Sequence, residues 1–354
     1  MKIDDLEKHL GQTPAIASEL RGNCSDLKNL VDETLKVIGL PRQAADKLND
    51  LSKKLDHVST ALQIASIVKS IKGPADQLKR QVDSLKKAVD DARQKAATIA
   101  DKLEGTRQTL EDLSKALQDL ITILDGLVTS STKALGTITA VHQCIDKIQD
   151  ATVREHGLDL LNDFADICDP LVVGLNDAMT KANDTCDTIK KDFSQLVDQL
   201  NVIPKILNGI DDVSNLLDPI IGPLDDLCAA LDKKIGLKRF HFTIRQILNG
   251  IKLPWPFSYL EDKFWDMAMD ILNPILKRLH LDITLPDIPG LDVFAGIDLS
   301  FFDQLGSLMK TFTDLESLIP NVLNVLAKFD VTCPPKTDAK RISIRVASEL
   351  AGRI

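Results

Sequence analysis

From Leu78 to Ile148 apolar residues recur at alternating steps of three and four, through Val82, Leu85, Val89 and on to Val141 and Ile145, and only Thr106 and Ser131 break the run. A 3.5-residue repeat sustained this long predicts one continuous helix with a left-handed supercoil and one or more partner helices. At about 1.5 Å per residue it would reach roughly 105 Å, more than one layer of a compact domain can hold.

The chain offers those partners itself. A second seam of similar length runs from Leu161 through Cys168, Cys186 and Phe193 to Ile235, with Ser214 its polar member. About a dozen residues join the two, so they are expected to fold back as an antiparallel hairpin. Upstream, Leu48, Leu51, Leu55, Val58 and Leu62 repeat in the same steps, and Gly73-Pro74 is placed to turn a helix over 43–72 back against the long one. Phe164, Leu171, Ala178, Ile206, Val213 and Ile220 widen the apolar face of the second seam beyond what a two-stranded coil covers, leaving a third place for helix 43–72. Charge suggests the register: reflection about a turn near residue 154 or 155 sets Lys86 opposite Asp225 and Arg93 opposite Asp218. Pro170 and Pro204 predict kinks in the second seam, and Pro219 with Pro223 a break.

Residues 1–40 read as a short amphipathic helix or two, closed by Gly39-Leu40-Pro41. Beyond Ile235 the texture changes. Stretches 240–244, 279–285 and 341–346 alternate apolar and polar residues as half-buried strands do, and helices are expected around 259–279 and 299–329. The expected fold is therefore mainly α. A long antiparallel helical bundle, built of a coiled-coil hairpin of about 78–148 and 161–235 with a third helix 43–72, carries a C-terminal mixed helical head with a small antiparallel β-sheet. The domains would be an N-terminal helical segment over 1–40, the elongated bundle over 43–235 and an α+β head over 236–354.

The six cysteines lack the close spacing of a zinc site, and no metal site is expected from them. Reflection about the turns brings Cys144 level with Cys168 and Cys24 level with Cys186, which leaves Cys228 with Cys333. These are the candidate disulfides; the competing reading is a set of free thiols buried on the seam. Bridges would imply an extracellular or other extracytoplasmic home, and free thiols a cytoplasmic one. Met1-Lys2-Ile3-Asp4-Asp5-Leu6-Glu7 lacks the apolar stretch of a signal peptide. Two glycosylation sequons, Asn23-Cys24-Ser25 and Asn183-Asp184-Thr185, fit the secreted reading.

No nucleotide-binding, metalloprotease, hydrolase or calcium-loop motif is present, and the six histidines are dispersed, so no catalytic residue and no cofactor is expected. His142 falls beside the seam as a packing residue, while Asp282, Asp287, Asp292 and Asp298 are the acidic residues that could serve Ca²⁺. The net charge of −9 argues against a nucleic-acid partner. The leading expectation is a non-enzymatic, elongated structural or interaction protein, a disulfide-stapled rod that offers its head or hairpin tip to a protein partner or to a second copy. The alternative is a membrane- or lipid-active protein resembling helical pore-forming toxins in architecture only. Its contact surface would be Trp255, Phe257, Trp265, Phe294, Phe301 and Phe302, whose competing role is to form the core of the head.

Overall fold

The computed structural model describes residues 2–66, 72–235, 284–332 and 343–346. In chain order these form α1 (Lys2–Val37), α2 (Leu40–Ala65), α3 (Lys72–Asp146), α4 (Ala151–Leu200), α5 (Ile203–Ile235), the short α6 (Val293–Gly296), a 3-10 turn (Ser300–Gln304), α7 (Leu305–Ala327), β1 (Phe329–Thr332) and β2 (Ser343–Val346). The protein is mainly α-helical. The chain divides into two compact units. One comprises Met1–Lys36, Gly105–Val197 and Asp298–Ile354, and the other Val37–Glu104 and Asp198–Ile297.

In the first unit α1 is one helix. Its buried residues are Ile3, Leu6, Leu10, Thr13, Ala17, Leu20, Cys24, Leu27, Val31 and Thr34, a stripe in steps of three and four that Thr13, Cys24 and Thr34 hide from a purely apolar pattern. It runs parallel to α4: Lys2 pairs with Asp166 and Lys190 with Asp26, each pair 164 residues apart. It runs antiparallel to the later part of α3, because Arg21 meets Asp125 while Asp32 meets Ser114. Asp150 closes the turn between α3 and α4 by accepting from the backbone N–H groups of Thr152 and Val153, an N-cap for α4. The C-terminal segment packs onto α4. Phe193 is fully buried and meets Phe301 edge-on at 5.0 Å and Phe302 at 6.0 Å, and Phe164 lies 4.5 Å from Phe329.

The second unit repeats the arrangement. Lys47 pairs with Asp211 and Lys54 with Asp218, again 164 residues apart, so α2 is parallel to α5. Arg42 meets Asp101, Asn49 meets Arg93, and Ser59 meets Asp83, so α2 is antiparallel to the first part of α3. The segment after residue 283 returns to α5. Gly290 turns with φ +86°, a backbone conformation in which a side chain would be strained, and it lies against Ile206 and Val202.

Among the described residues one polar device occurs three times within these units. A serine donates across an antiparallel helix pair to an aspartate that also holds a lysine one turn before it. The sets are Ser52, Asp90 and Lys86; Ser59, Asp83 and Lys79; and Ser114, Asp32 and Lys28. In each the aspartate is held below its ordinary titration range. Burial alone would raise it, but the hydrogen bonds from lysine and serine prevail.

The expected charge register is corrected. Arg93 binds Asn49, Lys86 binds Asp90 and faces Asp56, and Asp218 is taken by Lys54, because α2 lies along both seams and its own charges intervene. The proline expectations also change. The second seam breaks at Asn201-Val202, which leaves Pro204 in the first turn of α5, where its missing N–H costs little. Helix α5 runs through Pro219 and Pro223 and α4 through Pro170. Pro170 and Pro219 face solvent, where water can reach the carbonyl each one orphans. After the break the buried stripe is Ile203, Ile206, Ile210, Val213, Leu217 and Ile220: it moves one step, from Ser214 onto Val213, and takes in the flank residues expected to widen the apolar face.

The expected head sheet is corrected as well. Among the described residues the only ladder is the two-stranded antiparallel one of β1 with β2, which pairs Phe329 with Val346 and Thr332 with Ser343. Thr284 and Leu285 carry no strand, and 240–244 and 279–283 lie outside the described residues. Two short strands bury little by themselves; alternation alone did not distinguish them from irregular chain packed on helices.

Candidate functional site

The chemistry-bearing side chains of the first unit gather along the seam between α1 and α4. Every seventh residue of α4 projects a polar group toward α1. Asn162 accepts from the Ile3 backbone N–H at 3.3 Å, and Asp169 pairs with His9 at 2.7 Å. Asn176 accepts from the Thr13 hydroxyl at 2.9 Å and donates to the His9 carbonyl at 3.0 Å. Asn183 accepts from the Asn23 amide, and Lys190 donates to Asn23, both at 2.6 Å. The heptad makes this ladder: Asn162, Asp169, Asn176, Asn183 and Lys190 share one face of α4.

Cys24 and Cys186 sit on the ladder's apolar edge, both fully buried, as free thiols, so the expected bridge between them is corrected: the two are level but not bonded. They are in hydrogen-bonding contact. That bond to Cys186 is the largest cause of a strongly raised Cys24 pKa; burial adds to it and the Lys190 charge opposes it. Cys24 therefore offers no reactive thiolate near neutral pH in this environment. An open cleft of about 510 Å³ adjoins the layer, and there Lys190 is already paired with Asp26 and Asp187.

The other candidate cysteines fare differently. Cys168 is a buried free thiol, pushed up to about 12 by burial with a smaller push from Asp169. Cys144 is disulfide-bonded, and its partner is none of the three free thiols, so the expected bridge from Cys144 to Cys168 is corrected. Being level is not sufficient: a disulfide also needs Cα atoms within about 7 Å and facing Cβ vectors, and reflection about a turn fixes height without fixing face. The Cys228 side chain and Cys333 lie outside what the structure describes. The Asn183 sequon is closed to a glycan in this fold, since Asn183 is buried against Asn23.

Of the aromatic contact candidates, Phe294 and Phe301 are buried and Phe302 stacks on Phe301. Trp255, Phe257 and Trp265 lie outside the described residues, as do His241, His280 and Asp282. Among the described residues no cluster of three potential metal ligands includes Asp287, Asp292 or Asp298. His142 is buried as expected, but it faces Glu7 and Asp146 rather than apolar neighbours alone. The seventh-residue polar ladder was readable in the sequence as a stripe beside the apolar seam, although nothing local revealed that α1 would cover it.

No protein-family model, curated protein or solved structure matches this chain. Among the described residues no helix is long and apolar enough to cross a membrane.

Proposed function

We propose that the protein is a non-enzymatic structural or interaction protein, an elongated helical bundle that holds binding surfaces in fixed register for a protein partner. The observation that carries this reading is the α1–α4 ladder. Its histidine, amides and lysine are each tied to a partner on the facing helix, an arrangement suited to setting register rather than to turning over a substrate. The turn at 147–150 and the C-terminal segment are the proposed contact points. We place the protein in an extracytoplasmic compartment, where Cys24 and Cys186 would close into a staple; the disulfide at Cys144 supports that setting.

Small-angle scattering and vesicle assays test the reading together. The expected results are an elongated particle and no release of dye trapped in anionic liposomes. A compact particle would refute the elongated bundle, and dye release would replace it with a membrane-active protein. Burial of Phe294 and Phe301 weighs against that alternative.

A further inference from the structure

Near the start of α1, Asp4 and Glu7 stand one helical turn apart, and His142 of α3 faces them. Each offers one ligand atom, and the three atoms lie within 4.8 Å of one another. Glu7 Oε1 and His142 Nδ1 are 3.4 Å apart, too far for a strong hydrogen bond. Two ligands about 2.1 Å from a tetrahedral ion are themselves separated by about 3.4 Å, so this gap has the size of a shared cation.

An independent observation points the same way. Glu7 Oε1, which faces Nδ1 of His142, is buried and lacks a hydrogen-bond partner; His142 is only 9% exposed, and its other ring nitrogen, Nε2, is buried and unpartnered as well. Buried polar atoms without partners are costly, and they are rare where nothing fills the site. On the far side of the ring Asp146 Oδ2 stands 3.9 Å from Nε2, near enough to orient the imidazole once it tightens onto a metal.

We propose that Asp4, Glu7 and His142 bind one divalent transition-metal cation, Zn²⁺ by preference, which ties the start of α1 to α3. An imidazole nitrogen disfavours Mg²⁺ and Ca²⁺, which prefer all-oxygen shells, whereas Zn²⁺ accepts nitrogen and carboxylate oxygen together. Two carboxylates and a neutral imidazole carry −2 and so balance the ion. Exposed Asp4 has room to close the remaining distance, and water completes the shell.

The test is calorimetric titration of chelator-treated full chain with ZnCl₂, for wild type, Glu7→Gln, His142→Gln, Asp4→Asn and the double variant Cys24→Ser/Cys186→Ser. One equivalent should bind wild type and the double cysteine variant alike. Glu7→Gln and His142→Gln should each weaken binding roughly tenfold or more. Circular dichroism establishes that each variant is folded; should His142→Gln fail to fold, the near-isosteric Glu7→Gln and the exposed Asp4→Asn decide the matter. Absence of saturable binding up to about 1 mM would overturn the proposal. Unchanged affinity in the carboxylate variants, or loss of binding in the cysteine variant, would do the same.

Discussion

The Thr13 hydroxyl donates to Asn176 Oδ1 across 2.9 Å with both side chains buried, and the same asparagine returns its amide to the His9 carbonyl. A buried polar pair within an apolar seam stabilises little by itself, yet it penalises every other register, which would leave both groups unpaired. Asn176→Ala should therefore cost about 1 to 3 kcal/mol in urea unfolding. The apolar double variant Thr13→Val/Asn176→Leu should recover most of that loss while broadening the amide NMR spectrum. A double variant as unstable as the single one would show that the pair contributes energy rather than specificity.

Mild oxidation should join Cys24 to Cys186. Cys24, Cys168 and Cys186 are all buried, so thiol reagents should label them only after unfolding. After oxidation two of those thiols should vanish and peptide mapping should recover the Cys24–Cys186 crosslink. Recovery of Cys168 in the crosslink instead would contradict the parallel pairing of α1 with α4.

Stability should fall in alkali. The Cys168 pKa is pushed up to about 12, so above the ordinary thiol range the folded protein keeps a proton that the unfolded chain has lost. Its contribution is fully present below about pH 8.5 and declines by about 1.4 kcal/mol per pH unit as the pH rises toward 12. Cys24 adds a decline of the same sign. Comparing urea midpoints between about pH 8 and about pH 10.5, Cys168→Ala should show a visibly shallower slope than wild type.

Acid acts on the opposite groups. Asp90 is held below its ordinary range because hydrogen bonds from Ser52 and Lys86 outweigh its burial. Its contribution is present above about pH 3.9 and is lost as the pH falls through the lowered value. With the carboxylate about one-third exposed, Ser52→Ala should cost only about 0.5 to 1 kcal/mol near neutrality. A carboxyl NMR titration should show Asp90 moving up in that variant, and an unmoved Asp90 would remove Ser52 from the account.

Phe193→Ala should cost about 3 to 5 kcal/mol, the range for emptying a buried aromatic site. Because Phe193 contacts Phe301 and Phe302, amide exchange should accelerate first across 298–327, before α1 or α4 loses protection. Uniform acceleration would mean that this segment unfolds only together with the helices beneath it.

The seam from Leu78 onward announced its helix because a 3.5-residue repeat survives any local exception, and every member except Thr106 and Ala134 is buried. The α1 stripe was harder to see, since Thr13, Cys24 and Thr34 occupy core positions that an apolar count overlooks. Levels along the bundle were also legible: Cys24 and Cys186 do meet. Azimuth was not, which is why Cys168 remains a free thiol. The Asp4, Glu7 and His142 cluster had no sequence signature at all, because its histidine comes from a distant helix. The break at Asn201-Val202 lay two residues ahead of the proline that the sequence pointed to, and the one-step change of stripe that follows is a consequence of tertiary packing.

The parallel pairing of α1 with α4 sets a clock on biosynthesis. The partners are about 160 residues apart, so at about 5 to 20 residues per second α1 must wait on the order of 10 to 30 s after its own emergence for α4 to exist. Helix α3 arrives sooner and can cover part of the apolar stripe, but the seventh-residue contacts stay unmade until α4 leaves the ribosome. A nascent chain halted between α3 and α4 would thus be a sticky three-helix intermediate, and slow codons or a stalled message in that interval would favour pairing between neighbouring chains.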